Sequence, residues 1–103
     1  MNNKQLEEQM IENYKREEHM MILVFAQWCI NHNLDPAALY HSAYPDQPNN
    51  EALQQALALT VSKEEAGEVP DDTLLGVLSL FGNEELAFIV TQEIEKRPRD
   101  KRY

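Results

Sequence analysis

Residues 20–30 read MMILVFAQWCI, from Met20 to Ile30, and carry a single polar side chain, Gln27. They follow, with no Gly or Pro between, the charged run NNKQLEEQMIENYKREEH. A segment apolar on nearly every side has no wet face to offer, so other elements must cover it from several directions. The reading is a central helix, the second half of one long helix from Asn3 to about Asn33. Leu6, Met10, Tyr14, Met21, Val24, Phe25 and Trp28 recur at spacings of three, four and seven and so fall on one stripe. In the first half that stripe is narrow on a charged cylinder, which suits a single neighbour and leaves homodimerisation through the N-terminal helix open. Glu17 and Glu18 interrupt it too early for a sustained coiled coil.

Outward from this helix, punctuation divides the chain. Asp35-Pro36 is a restart signal, with Asp as cap and Pro in the first turn, where a missing N–H costs nothing. It opens a short helix, Pro36 to about Ala43, that Tyr44-Pro45 ends. Asn49 or Asn50 caps a third helix to about Val61, with Leu53, Ala56, Leu57, Thr60 and Val61 on its apolar face. Ser62 has capping-box spacing to Glu65, but Gly67 allows only a single-turn connector. Pro70-Asp71-Asp72 opens a fourth helix carrying Leu74, Leu75, Val77, Leu78, Leu80 and Phe81 inward, with Gly82 as its stop. A fifth runs from Glu84 to Lys96, started by Asn83 and the following glutamates and ended by Pro98. Residues 86–94 include AFIVT, which is rich in strand formers, but the Glu-Glu start favours helix. The predicted architecture is all-α, a compact bundle of about five helices in one domain over residues 1–97, with a short basic tail at 98–103.

Composition narrows the function. At 103 residues, with 43% hydrophobic and 26% charged side chains, the chain can bury one core without disulfides or a metal. The net charge is −9, and residues 63–95 alone carry −8, from nine acidic side chains against Lys63. Such a body repels phosphate backbones, so nucleic-acid binding is disfavoured and a basic protein partner is favoured. The eleven-residue apolar run is too short for the roughly 20 residues that cross a bilayer, and the stretch before it is too acidic for a secretory signal. With one cysteine, the expected compartment is the reducing cytoplasm.

Catalytic and metal signatures are sparse. Cys29 and His32 are three residues apart on one helical face, with His41 downstream, so a metal or redox site can be drawn from these three. The paired spacings of a zinc site are missing, and Cys29 between Trp28 and Ile30 has the surroundings of a buried hydrophobe, not of an activated thiolate. No G-x-S-x-G elbow and no phosphate-cradling glycine loop occurs. Glu64, Glu65, Glu68, Asp71 and Asp72 lack the register of a calcium loop. The expectation is therefore a non-catalytic interaction or regulatory module without cofactor or metal, whose candidate surface is Glu64, Glu65, Glu68, Asp71 and Asp72. The competing expectation is a small enzyme or metal or redox sensor built on Cys29, His32 and His41.

Overall fold

A computed structural model describes residues 3–47 and 50–97, with the side chains of residues 3–7 and 11–15 outside that description. The stripe positions Leu6 and Tyr14 and the tail 98–103 therefore lie outside the described residues. Among the described residues six helices follow in order: α1 (Asn3–Asn31), α2 (Pro36–Ala43), α3 (Glu51–Leu59), α4 (Lys63–Ala66), α5 (Asp71–Leu80) and α6 (Glu84–Lys96). The fold is all-α: the five expected helices are present, and α4 is the single-turn connector.

Local chemistry sets the breaks. At the end of α1, Asn33 takes a left-handed conformation (φ 59°), its N–H donates to the Ile30 carbonyl, and the Leu34 N–H reaches back to that of Cys29 at 2.8 Å. This is the Schellman closure that satisfies orphan carbonyls at a helix end. The same closure ends α5, where Gly82 (φ 69°) supplies the left-handed residue and the Asn83 N–H reaches the Leu78 carbonyl at 2.8 Å. Asp35 caps α2 by accepting from the Ala37 and Ala38 N–H groups at 3.0 and 3.3 Å. Asp35→Ala should therefore cost about 1 kcal/mol of stability in a urea titration; an unchanged midpoint would show that the cap contributes nothing.

α1 is the axis. α3 packs along it in the same direction, Val61 meeting Gln27 and Glu51 flanking Glu18, and α6, seated on α2 and α5, runs the same way, Asn83 reaching Met21 and Arg97 reaching His32. α5 runs the opposite way, with Asp71 at Trp28 and Leu80 beside Met20. Between them Ile22, Phe25, Trp28, Cys29, Leu74, Leu78, Leu86 and Val90 are buried, and α2 closes the core with Tyr40, whose ring centroid lies 6.4 Å from that of Phe25. The bundle covers α1 from about residue 18 onward, and the described side chains before it, those of residues 8–10, 16 and 17, are exposed. The rest projects as an arm, so the molecule measures 63 × 30 × 24 Å and its radius of gyration is 15.6 Å, above the roughly 13 Å of a compact chain this long.

Some side chains depart from the sequence reading. Met20, inside the run expected to be covered, is 61% exposed, and Leu80, expected in the core, is 81% exposed. Both lie at the edge where α5 leaves α1 uncovered. Phe88 is also outward on α6, since Leu86 and Val90 already fill the inner face. α3 stops at Leu59, not Val61: Thr60 is extended (φ −69°, ψ 151°), and Gln27 takes up the Val61 N–H and carbonyl. Asn83 precedes α6 without capping it: its amide donates to Met21 Sδ and its carbonyl accepts from the Tyr44 hydroxyl.

Candidate functional site

Gln27, the one polar residue in the apolar run, is buried and fully employed. Its amide nitrogen donates to the Val61 carbonyl at 2.8 Å and to Asn31 Oδ1 at 3.0 Å, while its oxygen accepts from the Val61 N–H at 3.0 Å. Asn31, one turn further on, donates to the Gly67 carbonyl at 2.9 Å. Two amides on one face of α1 thus hold both ends of the segment 61–67, which would otherwise be a loop with little apolar contact. Ser62 caps α4 between them through the Glu65 N–H. The result is a ledge fixed to the core from below, with Glu64, Glu65, Glu68 and Asp72 pointing outward and exposed. Among the described residues no salt bridge neutralises any of these four.

Asp71 behaves differently. Its carboxylate accepts from the Trp28 indole N–H at 2.9 Å and takes a two-pronged contact from Arg97, both distances 2.9 Å. The Arg97 guanidinium also sits 5.6 Å from the Trp28 ring centroid, within cation–π range. Hydrogen bonds from Arg97, and secondarily from Trp28, hold the Asp71 carboxyl below its ordinary pKa against the opposing effect of burial. Asp71 is thus a structural acceptor tying α1, α5 and the end of α6 together, and the outward acidic surface consists of the other four candidates. Arg97, the residue that ends α6, thus lies against the acidic half of the chain.

Cys29, His32 and His41 do not converge. Cys29 is wholly buried, and burial, reinforced by the negative charges of Asp35 and Glu93, pushes its thiol well above the ordinary value. His32 is half-buried against Trp28, ring centroids 4.9 Å apart, and its Nε2 lies 3.4 Å from Arg97 Nη2. Because guanidinium can only donate, that contact suits a neutral ring with Nε2 as acceptor; burial first, then the Arg97 charge, lowers its pKa. It opens onto a cleft of about 240 Å³ with Asn31, Lys63, Glu68 and Val69. His41 stands exposed on α2. Among the described residues no three His, Cys, Asp or Glu side chains gather as metal ligands.

A second surface, not anticipated from the sequence, is an apolar groove of about 340 Å³ between α1 and α5. Met20, Met21 and Val24 form one wall, Val77, Leu80 and Phe81 the other, and Glu17 stands at the rim. The residues were visible as hydrophobic, but nothing in their spacing tells a face turned to the core from one turned to solvent. Among the described residues no helix is long and apolar enough to cross a membrane.

Comparison with known proteins places the chain. A relative from Bacillus subtilis (strain 168), described as "Uncharacterized protein YxiS", is 51% identical over 92 residues, covering 88% of this chain and 96% of the relative. No solved structure matches the chain. The sequence pattern of the YxiS family extends over residues 2–95, through the arm, the ledge and nearly all of α6, and the chain belongs to that family.

Proposed function

We propose that the protein is a non-catalytic interaction module of the cytoplasm whose ledge, Glu64, Glu65, Glu68 and Asp72, receives a basic protein partner. The observation that carries this reading is the contrast among the acidic residues: Asp71 is neutralised internally, whereas its four neighbours are exposed, Glu64 and Glu65 on the segment that Gln27 and Asn31 hold fixed and Glu68 and Asp72 just beyond it. A pre-ordered, unneutralised cluster steers an oppositely charged partner without the cost of ordering a loop. The burial of Cys29 and the separation of His41 from His32 speak for this reading over a metal or redox sensor.

The test is affinity capture and kinetics with a partner from the native host. Neutralising the ledge by Glu64→Gln, Glu65→Gln, Glu68→Gln and Asp72→Asn, with Asp71 left in place, should slow association more than it speeds dissociation. Raising salt, which shortens the Debye length from about 10 Å at 0.1 M to about 3 Å at 1 M, should weaken wild-type binding in the same way. A partner whose association ignores both changes would refute the ledge.

A further inference from the structure

The cleft of about 240 Å³ beside the ledge gathers groups that a protein partner on the outward face does not use. Asn31 and His32 come from the end of α1 and its exit, Lys63 opens α4, and Glu68 and Val69 follow Gly67. We infer that this cleft binds a small zwitterion, a free α-amino acid with a short aliphatic side chain.

The inventory of donors and acceptors selects that class. Asn31 is only 7% exposed, and its amide nitrogen gives one of its two hydrogens to the Gly67 carbonyl. Among the described residues no acceptor takes the other. His32 is fixed between the Trp28 ring and Arg97. With Nε2 taking the Arg97 contact, the neutral ring carries its hydrogen on Nδ1, which has no hydrogen-bond partner among the described residues. Lys63 and Glu68 both act on the imidazole through their charges, yet among the described residues they form no salt bridge with each other. Three kinds of N–H donor and one carboxylate therefore line the same cleft, a set that matches a ligand carboxylate and a ligand ammonium. A simple anion would meet Glu68 with like charge and a simple amine would meet Lys63, so a ligand carrying both charges fits best. Val69, half-buried, is the apolar part of the wall. The volume lies below the roughly 300 Å³ at which drug-sized sites begin, which excludes a nucleotide-sized ligand.

The walls are set before any ligand arrives. Gln27 and Asn31 hold the segment 61–67, and Gly67, at φ 77°, turns the chain so that Glu68 and Val69 come beside His32. Such preorganisation lowers the cost of binding. Because the cleft opens to solvent and its two charges are exposed, the expected Kd is about 1 mM.

The probe is L-valine, titrated into the nitrogen-labelled full chain at constant pH up to about 20 mM, well above that Kd. NMR should show saturable shifts of the Asn31 side-chain amide and the Val69 N–H. Isovalerate, which lacks the ammonium, and isobutylamine, which lacks the carboxylate, should each bind about fivefold more weakly, since each gives up one ion pair. Lys63→Met should weaken valine about fivefold, and Glu68→Gln should do the same while bringing valine and isovalerate to one Kd. Both side chains are exposed, so the circular dichroism of the variants should match wild type. No saturable shift, one Kd shared by valine and both analogues, or valine binding indifferent to Lys63→Met and Glu68→Gln overturns the inference. The ledge is tested separately, by association rates with a protein partner, and none of these outcomes decides it.

Discussion

Phe25→Ala is expected to lower the free energy of unfolding by about 3–5 kcal/mol, a large part of the roughly 5–15 kcal/mol available to a domain of this kind. The ring is wholly buried near the middle of the covered part of α1, one turn after Ile22 and one before Trp28, with Tyr40 of α2 beside it. Its removal leaves a cavity that the surrounding helices cannot close without moving α1, the element on which they converge. Phe88→Ala is the control: the same deletion at a residue 63% exposed should shift stability by no more than about 0.5 kcal/mol. Urea titrations of the two variants decide the matter. A Phe25→Ala midpoint as close to wild type as that of Phe88→Ala would show that the core is not organised around α1.

The contrast between these phenylalanines marks how far the sequence could be read. Helix positions were legible because their signals are local: Asp35 before Pro36, Asn50 before Glu51 and Gly82 after Leu80 each act on backbone groups within a few residues. The central run was legible because eleven residues with one polar side chain leave few alternatives. Which apolar residues of α5 and α6 turn outward was not, since Leu80 and Phe88 fit the same helical period as Leu78 and Leu86. That choice depends on how many neighbours α1 has on each side, a property of the assembled bundle.

The candidate site was half legible for the same reason. Charge density over residues 63–72 is a property of composition, and it marked the ledge. Whether a given carboxylate faces solvent depends on partners far along the chain: Arg97 is 26 residues from Asp71, and Gln27 is 34 from Val61. Gln27 stood out as the one polar residue in an apolar stretch, which signals a buried hydrogen-bonding role without naming the acceptor. Asp71 and Asp72 are adjacent and chemically equivalent in the sequence, yet one is a tether and the other a surface charge.

That difference yields the second large effect. Asp71→Ala should cost about 2–3 kcal/mol, because the Trp28 indole N–H, on a residue with no exposure, loses its acceptor and a buried unsatisfied donor costs about 1–3 kcal/mol. The ion pair with Arg97 adds less, since both side chains are about one-third exposed and water screens them. Asp71→Asn separates the two contributions: an amide oxygen can still accept from Trp28, so this variant should lose clearly less stability while removing the charge. The pH dependence follows from the lowered carboxyl pKa, because the unfolded chain takes up the proton first as pH falls. Asp71's contribution is complete above about pH 3.9, the unfolded value, and is lost as pH falls through the lower folded value. His32 acts in the same direction at higher pH. Burial, and then the Arg97 charge, favours its neutral ring, so its contribution is complete above about pH 6.5 and declines below that, where the unfolded ring takes up the proton before the folded one. Wild type should therefore weaken in two stages on acidification, and Asp71→Asn should retain the first and lack the second. Denaturant titrations across about pH 2–8, with Trp28 fluorescence as the probe, would show both stages; an acid profile identical in wild type and Asp71→Asn would mean that the carboxylate is not the acceptor that ties Trp28 and Arg97 together.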